Sequence, residues 1–316
     1  VRIVVTGGAG FLGGHLVETL LEAGHRVLIL DALRTHYDVT AREWLVGELA
    51  ARDACEFRLV DLASDDLEPH IDGADAVVHL AARPGVAASW GNDFGDYVVD
   101  NLVASQRLLR AVSETGGTRL VFASSSSVYG KRPGVHLGRD ALAPRHPYGV
   151  TKLAGEQLCR TYAQYASDIS VVLLRYFTLY GPRQRPDMAV SRFIAAAETG
   201  EPILLHGGGR QTRRFTYVQD AADATLKACT VDLPGVHAFD VASGDATAVD
   251  AIAEMIGEVA GKQLTIHITE PDPGEPQEVA ADLDATSAGL AWSPVTHIGD
   301  GLRAQVEWWR RTTASV

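Results

Sequence analysis

Cysteine is scarce in this chain: three among 316 residues, at Cys55, Cys159 and Cys229. Their wide separation argues against a disulfide framework and against a zinc site, and no metal is expected. No run of about 18 apolar residues is present, which argues against a membrane span. A charged-then-apolar leader is also missing, so cytoplasmic residence is the default expectation. Basic residues are outnumbered, 28 Lys and Arg against 40 Asp and Glu, for a formal net charge of -12. With no basic stripe, nucleic acid is excluded as a partner. Internal repeats and low-complexity tracts are lacking too.

What the chain has is a globular composition, 46% hydrophobic, and enough length for one large domain or two smaller ones. It opens RIVVTGGAGFLGGHLVETLLEAG. Arg2–Val5 reads as a buried parallel strand, and Phe11–Leu21 has apolar residues at helical spacing. Gly7, Gly8, Gly10 and Gly13 lie between them. A tight glycine turn from strand into helix brings backbone N–H groups and a helix N-terminus to a pyrophosphate. Arg26–Leu30 reads as the second strand, with Asp31 at its end, where a carboxylate grips an adenosine ribose. That carboxylate repels a 2′-phosphate, so NAD is expected rather than NADP. Arg34 nearby pulls the other way.

Further strands are expected near Glu56–Val60, Ala76–Leu80, Arg119–Ala123 and Ser170–Arg175. Helices are expected at Thr40–Ala51, Val98–Thr115 and Tyr148–Ala166. This alternation predicts an α/β fold, a doubly wound parallel Rossmann sheet with right-handed crossovers. After Tyr176 the rhythm breaks into loops rich in Pro, Gly and charge: YGPRQRPD, HGGGRQTRR and PDPGEPQE. They suggest a smaller α/β substrate lobe with a final helix near Asp300–Arg311. The expected division is a dinucleotide-binding domain over 1–175, with the chain returning to it near 215–245. A substrate-binding lobe is then mainly 176–316.

Two segments carry the chemistry, SSSSVYG at Ser124–Gly130 and YGVTK at Tyr148–Lys152. Tyr148 and Lys152 stand at i and i+4, on one face of a helix. A phenol, an ammonium and a serine hydroxyl over a nicotinamide can move a proton and a hydride together. The bland alternatives are a buried aromatic for Tyr148 and a polar turn for the serines, but their joint presence favours catalysis. His79, in an apolar strand, reads as a hydrogen-bonded core histidine. Asn101 reads equally as a helix-face polar residue or a functional one. Trp308 and Trp309 read as packing for the last helix. Among the arginines beyond the first motif, Arg185 and Arg192 are candidates for an anionic ligand, although most such residues are solvated surface charges.

Taken in order, TGGAGFLG, Asp31, Asp61–Leu62, HLAA, Asn101, SSSSVYG, YGVTK, LRYFTLYGPRQRPDM and QTRRFTYV span nearly the whole chain. The chain resembles the extended short-chain dehydrogenase/reductases, specifically the NAD-dependent nucleotide-sugar epimerase/dehydratase family. The resemblance implies that Gly7, Gly10, Phe11 and Leu12 line the pyrophosphate and that Asp31 holds the ribose. It places Asp61 and Leu62 beside the adenine, and Ala81 and Ala82 along the cofactor. It makes Tyr148 and Lys152 the catalytic pair, with Ser125 as the partner hydroxyl and Ser124 and Ser126 as second choices. Arg213 matches an arginine that holds the nucleotide diphosphate, and a homodimer through the helices near Val98–Thr115 and Tyr148–Ala166 is implied.

Departures from the family pattern bear on the reaction. The acid and base of the common 4,6-dehydratases fall at Ser126 and Ser127, neither competent near neutral pH. Thr178 stands where many members have Asn, Arg214 follows Arg213 where an acid is common, and Glu275 lies in a stretch lacking the usual arginine. SSSSVYG with FTLYGP looks most like the UDP-glucose and UDP-glucuronate 4-epimerase branches. The expected reaction is 4-epimerisation of a UDP-sugar through a 4-keto intermediate with NAD retained. The alternatives are a UDP-sugar dehydratase (4,6- or 5,6-elimination) and, ranked below it, a non-catalytic nucleotide-sensing protein.

Overall fold

A computed structural model of the chain describes residues 1–34, 39–130, 142–166, 168–270 and 280–313. Seven parallel strands form its central sheet. Six of them are β1 (Arg2–Thr6), β2 (Arg26–Asp31), β3 (Cys55–Leu59), β4 (Ala76–His79), β5 (Arg119–Ser125) and β6 (Ser170–Tyr176). The seventh, Val236–Val241, pairs with β6 at one edge, and β3 closes the other. From that edge the order is β3-β2-β1-β4-β5-β6 and then Val236–Val241. The order reverses between β1 and β4, at the centre of the sheet, which opens a crevice at the carboxyl ends of the strands.

The sequence explains this arrangement. Ile3, Val4 and Val5 are fully buried because helices cover both faces of the sheet, as the continuous β-branched run requires. One face packs Leu16, Val17 and Leu20 of helix α1 (Phe11–Glu22) with Ala221 and Ala224 of helix Val218–Thr230. The other packs Leu108 and Val112 with Cys159. β3 is largely exposed, as an edge strand.

The expected elements form within a few residues of their anticipated ends, with one informative difference. The helix expected from Val98 starts at Phe94 and carries a π-helical stretch, Val99–Val103, before the α-helix Ala104–Thr115. Such bulges are frequent at functional sites, and here the bulge brings Asn101 inward.

After β6, three two-stranded ribbons and the helices Ala189–Thr199, Val249–Ala260 and Ile298–Thr313 gather around a separate core. That core includes Tyr180, Phe193, Ile194, Phe215, Ile252, Ile256 and Leu302. Gly301 lets the last helix approach, since a Cβ there would lie 2.3 Å from the Tyr180 hydroxyl. Among the described residues no helix is long and apolar enough to cross a membrane. The three cysteines are free, and no cluster of metal-ligating side chains occurs among the described residues.

Candidate active site

A cavity of about 480 Å³ follows the carboxyl ends of the strands. At its floor the chain turns from β1 into α1. Gly7 has φ +72, and a Cβ there would meet the Ala81 backbone nitrogen at 2.6 Å. A Cβ on Gly13 would lie 2.2 Å from the Gly7 carbonyl oxygen. Only glycine permits this cradle, and it leaves the N-terminus of α1 facing the cavity, as a pyrophosphate requires. Gly7, Gly10, Phe11 and Leu12 line this part.

At one end, Asp31 is buried, and its carboxylate accepts from Ala9 N at 3.1 Å, Leu33 N at 2.8 Å and Arg42 at 2.7 Å. Arg34 bridges Asp61 at 2.6 Å and Asp100 at 3.1 Å. Both arginines near the expected ribose are thus paired with carboxylates, and neither offers an uncommitted charge to a 2′-phosphate. The pull that Arg34 exerted toward NADP in the sequence is spent on Asp61 and Asp100. Leu62, Ala81 and Ala82 line the same channel.

At the other end are the serines, Tyr148 and Lys152. β5 ends at Ser125, and a short 3₁₀ turn, Ser126–Val128, follows. Ser125 caps that turn, accepting from Ser127 N at 3.2 Å, and it lines the cavity together with the Tyr148 phenol. Ser124 points to the opposite side of the strand and donates to Glu156 at 2.6 Å. Glu156 is fully buried and pairs with Arg175 through both carboxylate oxygens, at 2.8 Å each.

Helix Pro147–Tyr165 presents Tyr148 and Lys152. Its N-cap is His146, whose Nδ1 accepts from Gly149 N at 3.1 Å and whose ring stacks with Tyr148, centroids 6.1 Å apart. Lys152 is buried and donates to the Ala123 carbonyl at 2.8 Å. Burial lowers the Lys152 ammonium to about 8. Burial likewise pushes the Tyr148 phenol up to about 12, against the opposing pull of the nearby Ser125 hydroxyl and the Arg185 charge. The polypeptide alone therefore keeps the phenol protonated near neutrality. Desolvation here outweighs the attraction that the sequence led us to expect from Lys152.

Asn101 belongs to this assembly. Its side chain accepts from Arg83 N at 2.7 Å and donates to the Arg83 carbonyl at 3.1 Å and Thr151 Oγ1 at 3.0 Å. It ties the segment after β4 to the helix of Tyr148. His79 is a core residue, bonded to Thr6 at 2.8 Å and Ser105 at 2.9 Å.

Thr178 and Arg185 also border the cavity, Arg185 pairing with Asp187 at 2.9 Å. Arg192 stands exposed on helix Ala189–Thr199, and Arg213 donates to the Thr212 carbonyl at 2.7 Å; the cavity wall does not include them. Glu275 and the PDPGEPQE segment lie outside the described residues. Sequence reasoning missed Glu156, Arg42 and Gln184. A buried charge or amide met by partners distant in sequence carries no local pattern.

A glycine-cradled dinucleotide channel ending at a serine, a tyrosine and a lysine defines a short-chain dehydrogenase/reductase. The chain belongs to the NAD-dependent epimerase/dehydratase family, whose sequence profile matches residues 3–242. It is 37% identical over 310 residues to a Bacillus subtilis protein, YtcB, described as an uncharacterised UDP-glucose epimerase; the match covers 96% of each chain. It is 35% identical over 311 residues to a UDP-glucuronate 4-epimerase of Thermodesulfobacterium geofontis, covering 96% of this chain and 95% of the other. A crystal structure of a Bacillus cereus UDP-glucuronic acid 4-epimerase, in complex with UDP-glucuronic acid and NAD, superposes with a TM-score of 0.93. Its identity is 36%, over 99% of this chain and 100% of that one.

Proposed function

We propose that this enzyme is a UDP-hexose 4-epimerase that acts on UDP-glucuronate and keeps its NAD between half-reactions. The observation that carries the reading is that Ser125, Tyr148 and Lys152 meet on one wall at the end of the dinucleotide channel. Bound NAD supplies the acceptor, and later the donor, of a hydride. Its cationic ring adds the positive charge needed to favour the Tyr148 phenolate. Tyr148, with Ser125, takes the proton of the sugar C4 hydroxyl as the C4 hydride departs. Lys152 holds positive charge beneath the site, anchored on Ala123. The 4-keto sugar turns over, and Tyr148 returns the proton once hydride reaches the other face.

Epimerisation is favoured over elimination by what surrounds Ser126 and Ser127. Among the described residues, the carboxylates lining the cavity are Asp31, Asp61 and Asp100. Asp31 and Asp61 belong to the adenosine end, and Asp100 is paired with Arg34 and Arg83. None is placed as the acid or base of a water elimination. The C6 carboxylate is supported by Arg185, a cation close enough to act on the Tyr148 phenol, with Thr178 and the serine hydroxyls on the same wall. The relatives and the superposed structure named for glucuronate point the same way.

The site assignments follow: Gly7, Gly10, Phe11, Leu12, Asp31, Asp61, Leu62, Ala81 and Ala82 for NAD, and Thr178 and Arg185 for the sugar. Residues 1–175 with the return near 215–245 serve the cofactor, and the rest of 176–316 mainly the sugar nucleotide. A homodimer is supported by exposed Trp90, Phe94, Val99, Val103 and Val150 on the helices flanking the site. Val150→Glu should then convert a dimer to a monomer in light scattering, and a monomeric parent would refute it. Free cysteines fit a cytoplasmic setting.

Incubation with UDP-glucuronate, UDP-glucose and UDP-N-acetylglucosamine, with chromatography and mass detection, tests the reading. A new peak of unchanged mass from UDP-glucuronate is expected. A peak lighter by water or by carbon dioxide overturns it.

A further inference from the structure

Arg185 sits in the connection between strand Thr178–Tyr180 and helix Ala189–Thr199. Gly181 turns this loop with φ +138, which glycine allows, whereas Arg183, which has a side chain, is held at a costly φ of +64. Such a backbone persists only where its surroundings over-determine it.

Two sets of contacts do so. On one side, Arg183 forks onto Glu18 of α1, at 3.0 Å for the first pair, and the Pro182 carbonyl meets the His15 ring at 2.9 Å. On the other side is a pair of buried glutamines. Gln184 donates to the Leu179 carbonyl at 2.8 Å. Its side-chain oxygen accepts from Ser191 N at 3.0 Å, Ser191 Oγ at 2.9 Å and Gln305 Nε2 at 2.9 Å. Gln305, on the last helix, then accepts from Gly181 N at 2.8 Å.

Gln305 is 1% exposed and Gln184 is 4% exposed. A leucine or methionine at 305 would pack beside Leu302 and Val306 without burying an amide. The amide brings direction instead: it joins the two ends of the loop turn, Gly181 and Gln184, immediately before Arg185. A fully satisfied buried network of this kind specifies one geometry.

We propose that Gln305 is a positioning residue for the reaction: through Gly181 and Gln184 it fixes the loop that holds Arg185 beside Tyr148, and so sets the discrimination between a C6 carboxylate and a C6 hydroxyl. This rests on the assignment of Arg185 to the sugar end of the site. Gln305 touches neither substrate nor cofactor in this scheme.

The test is a double-mutant cycle of Gln305→Met and Arg185→Ala, with kcat/KM measured on UDP-glucuronate and UDP-glucose. Gln305→Met is expected to lower the glucuronate-to-glucose ratio by about tenfold, the size of one lost buried hydrogen bond. In the Arg185→Ala background the same change should move that ratio by less than about twofold, because coupled residues are non-additive. Equal losses on both sugars, or a full loss that persists without Arg185, overturn the proposal. Gln305→Asn, which keeps the amide but withdraws it, replaces Gln305→Met if that variant does not fold. A parent enzyme inactive on UDP-glucuronate refutes the substrate assignment alone. The coupling of 305 to 185 is then read in kcat/KM on the sugar that is converted, and additivity there overturns the positioning role.

Discussion

Ser124 donates to Glu156 over 2.6 Å, and this bond commits it to the protein interior while its neighbour Ser125 faces Tyr148. Adjacent residues of a strand point to opposite faces, so one serine serves the ion pair of Glu156 with Arg175 and the next serves the phenol. Exchanging their roles would require a slip of the whole strand.

The two serines should therefore separate in a mutational test. Ser125→Ala is expected to lower kcat by about 10²-fold, within the range for a proton-transfer group, with a loss of stability of about 1 kcal/mol or less from the missing cap on Ser127 N. Ser124→Ala should cost about 1–2 kcal/mol of stability through its lost buried hydrogen bond and leave most of kcat. Equal activity losses in both would remove the distinction. Steady-state kinetics alongside thermal unfolding supplies both readings.

Tyr148→Phe removes the acid and base while keeping the ring stacked on His146. Turnover should fall by about 10³-fold or more, with NAD affinity, read by fluorescence titration, within about threefold of the parent, since the phenol makes no necessary contact with the pyrophosphate end. Residual activity near that of the parent would dismiss Tyr148 as the proton carrier.

Gly13→Ala places a methyl 2.2 Å from the Gly7 carbonyl oxygen, a backbone atom that cannot rotate aside. Overpacking of this kind costs about 1–3 kcal/mol. We expect lower stability together with weaker NAD binding, because the displaced turn is the cofactor's cradle. Gly24→Ala is a useful contrast: φ there is +80, but a Cβ meets nothing within 4 Å. It should lose stability with NAD affinity intact. Titration calorimetry and melting curves distinguish the two.

Stability should fall on mild acidification through His79 and His15. Burial lowers His79 to about 3, and burial with the nearby Arg183 lowers His15 to about 4. Below pH 6.5 the unfolded chain binds protons that the folded protein does not, so unfolding is favoured as pH drops toward those values. Each histidine contributes a slope of about 1.4 kcal/mol per pH unit within its window. Denaturant midpoints from pH 7 to 4.5 measure the slope, and His79→Gln should reduce it. An unchanged slope in His79→Gln would show that His79 does not titrate on unfolding.

Much of this protein was legible before its structure. The glycine turn, Asp31 at a strand end and the alternation of strand with helix are local patterns. Local sterics and burial periodicity bind them to a parallel sheet with a dinucleotide at its carboxyl ends. The i, i+4 spacing of Tyr148 and Lys152 is likewise a property of any helix. What only tertiary structure decided is which neighbour each polar group meets. Ser124 and Ser125 are the same residue type, told apart by which face of β5 meets Glu156. Arg34 read as a cation available to a 2′-phosphate until Asp61 and Asp100 were brought to it. Asn101 was evenly balanced until a π-helical stretch turned it inward to Arg83 and Thr151. Gln305, far along the chain, had no signal at all. Hydrogen bonds and ion pairs act over about 3 Å in space, and the folded chain alone sets which residues come that close.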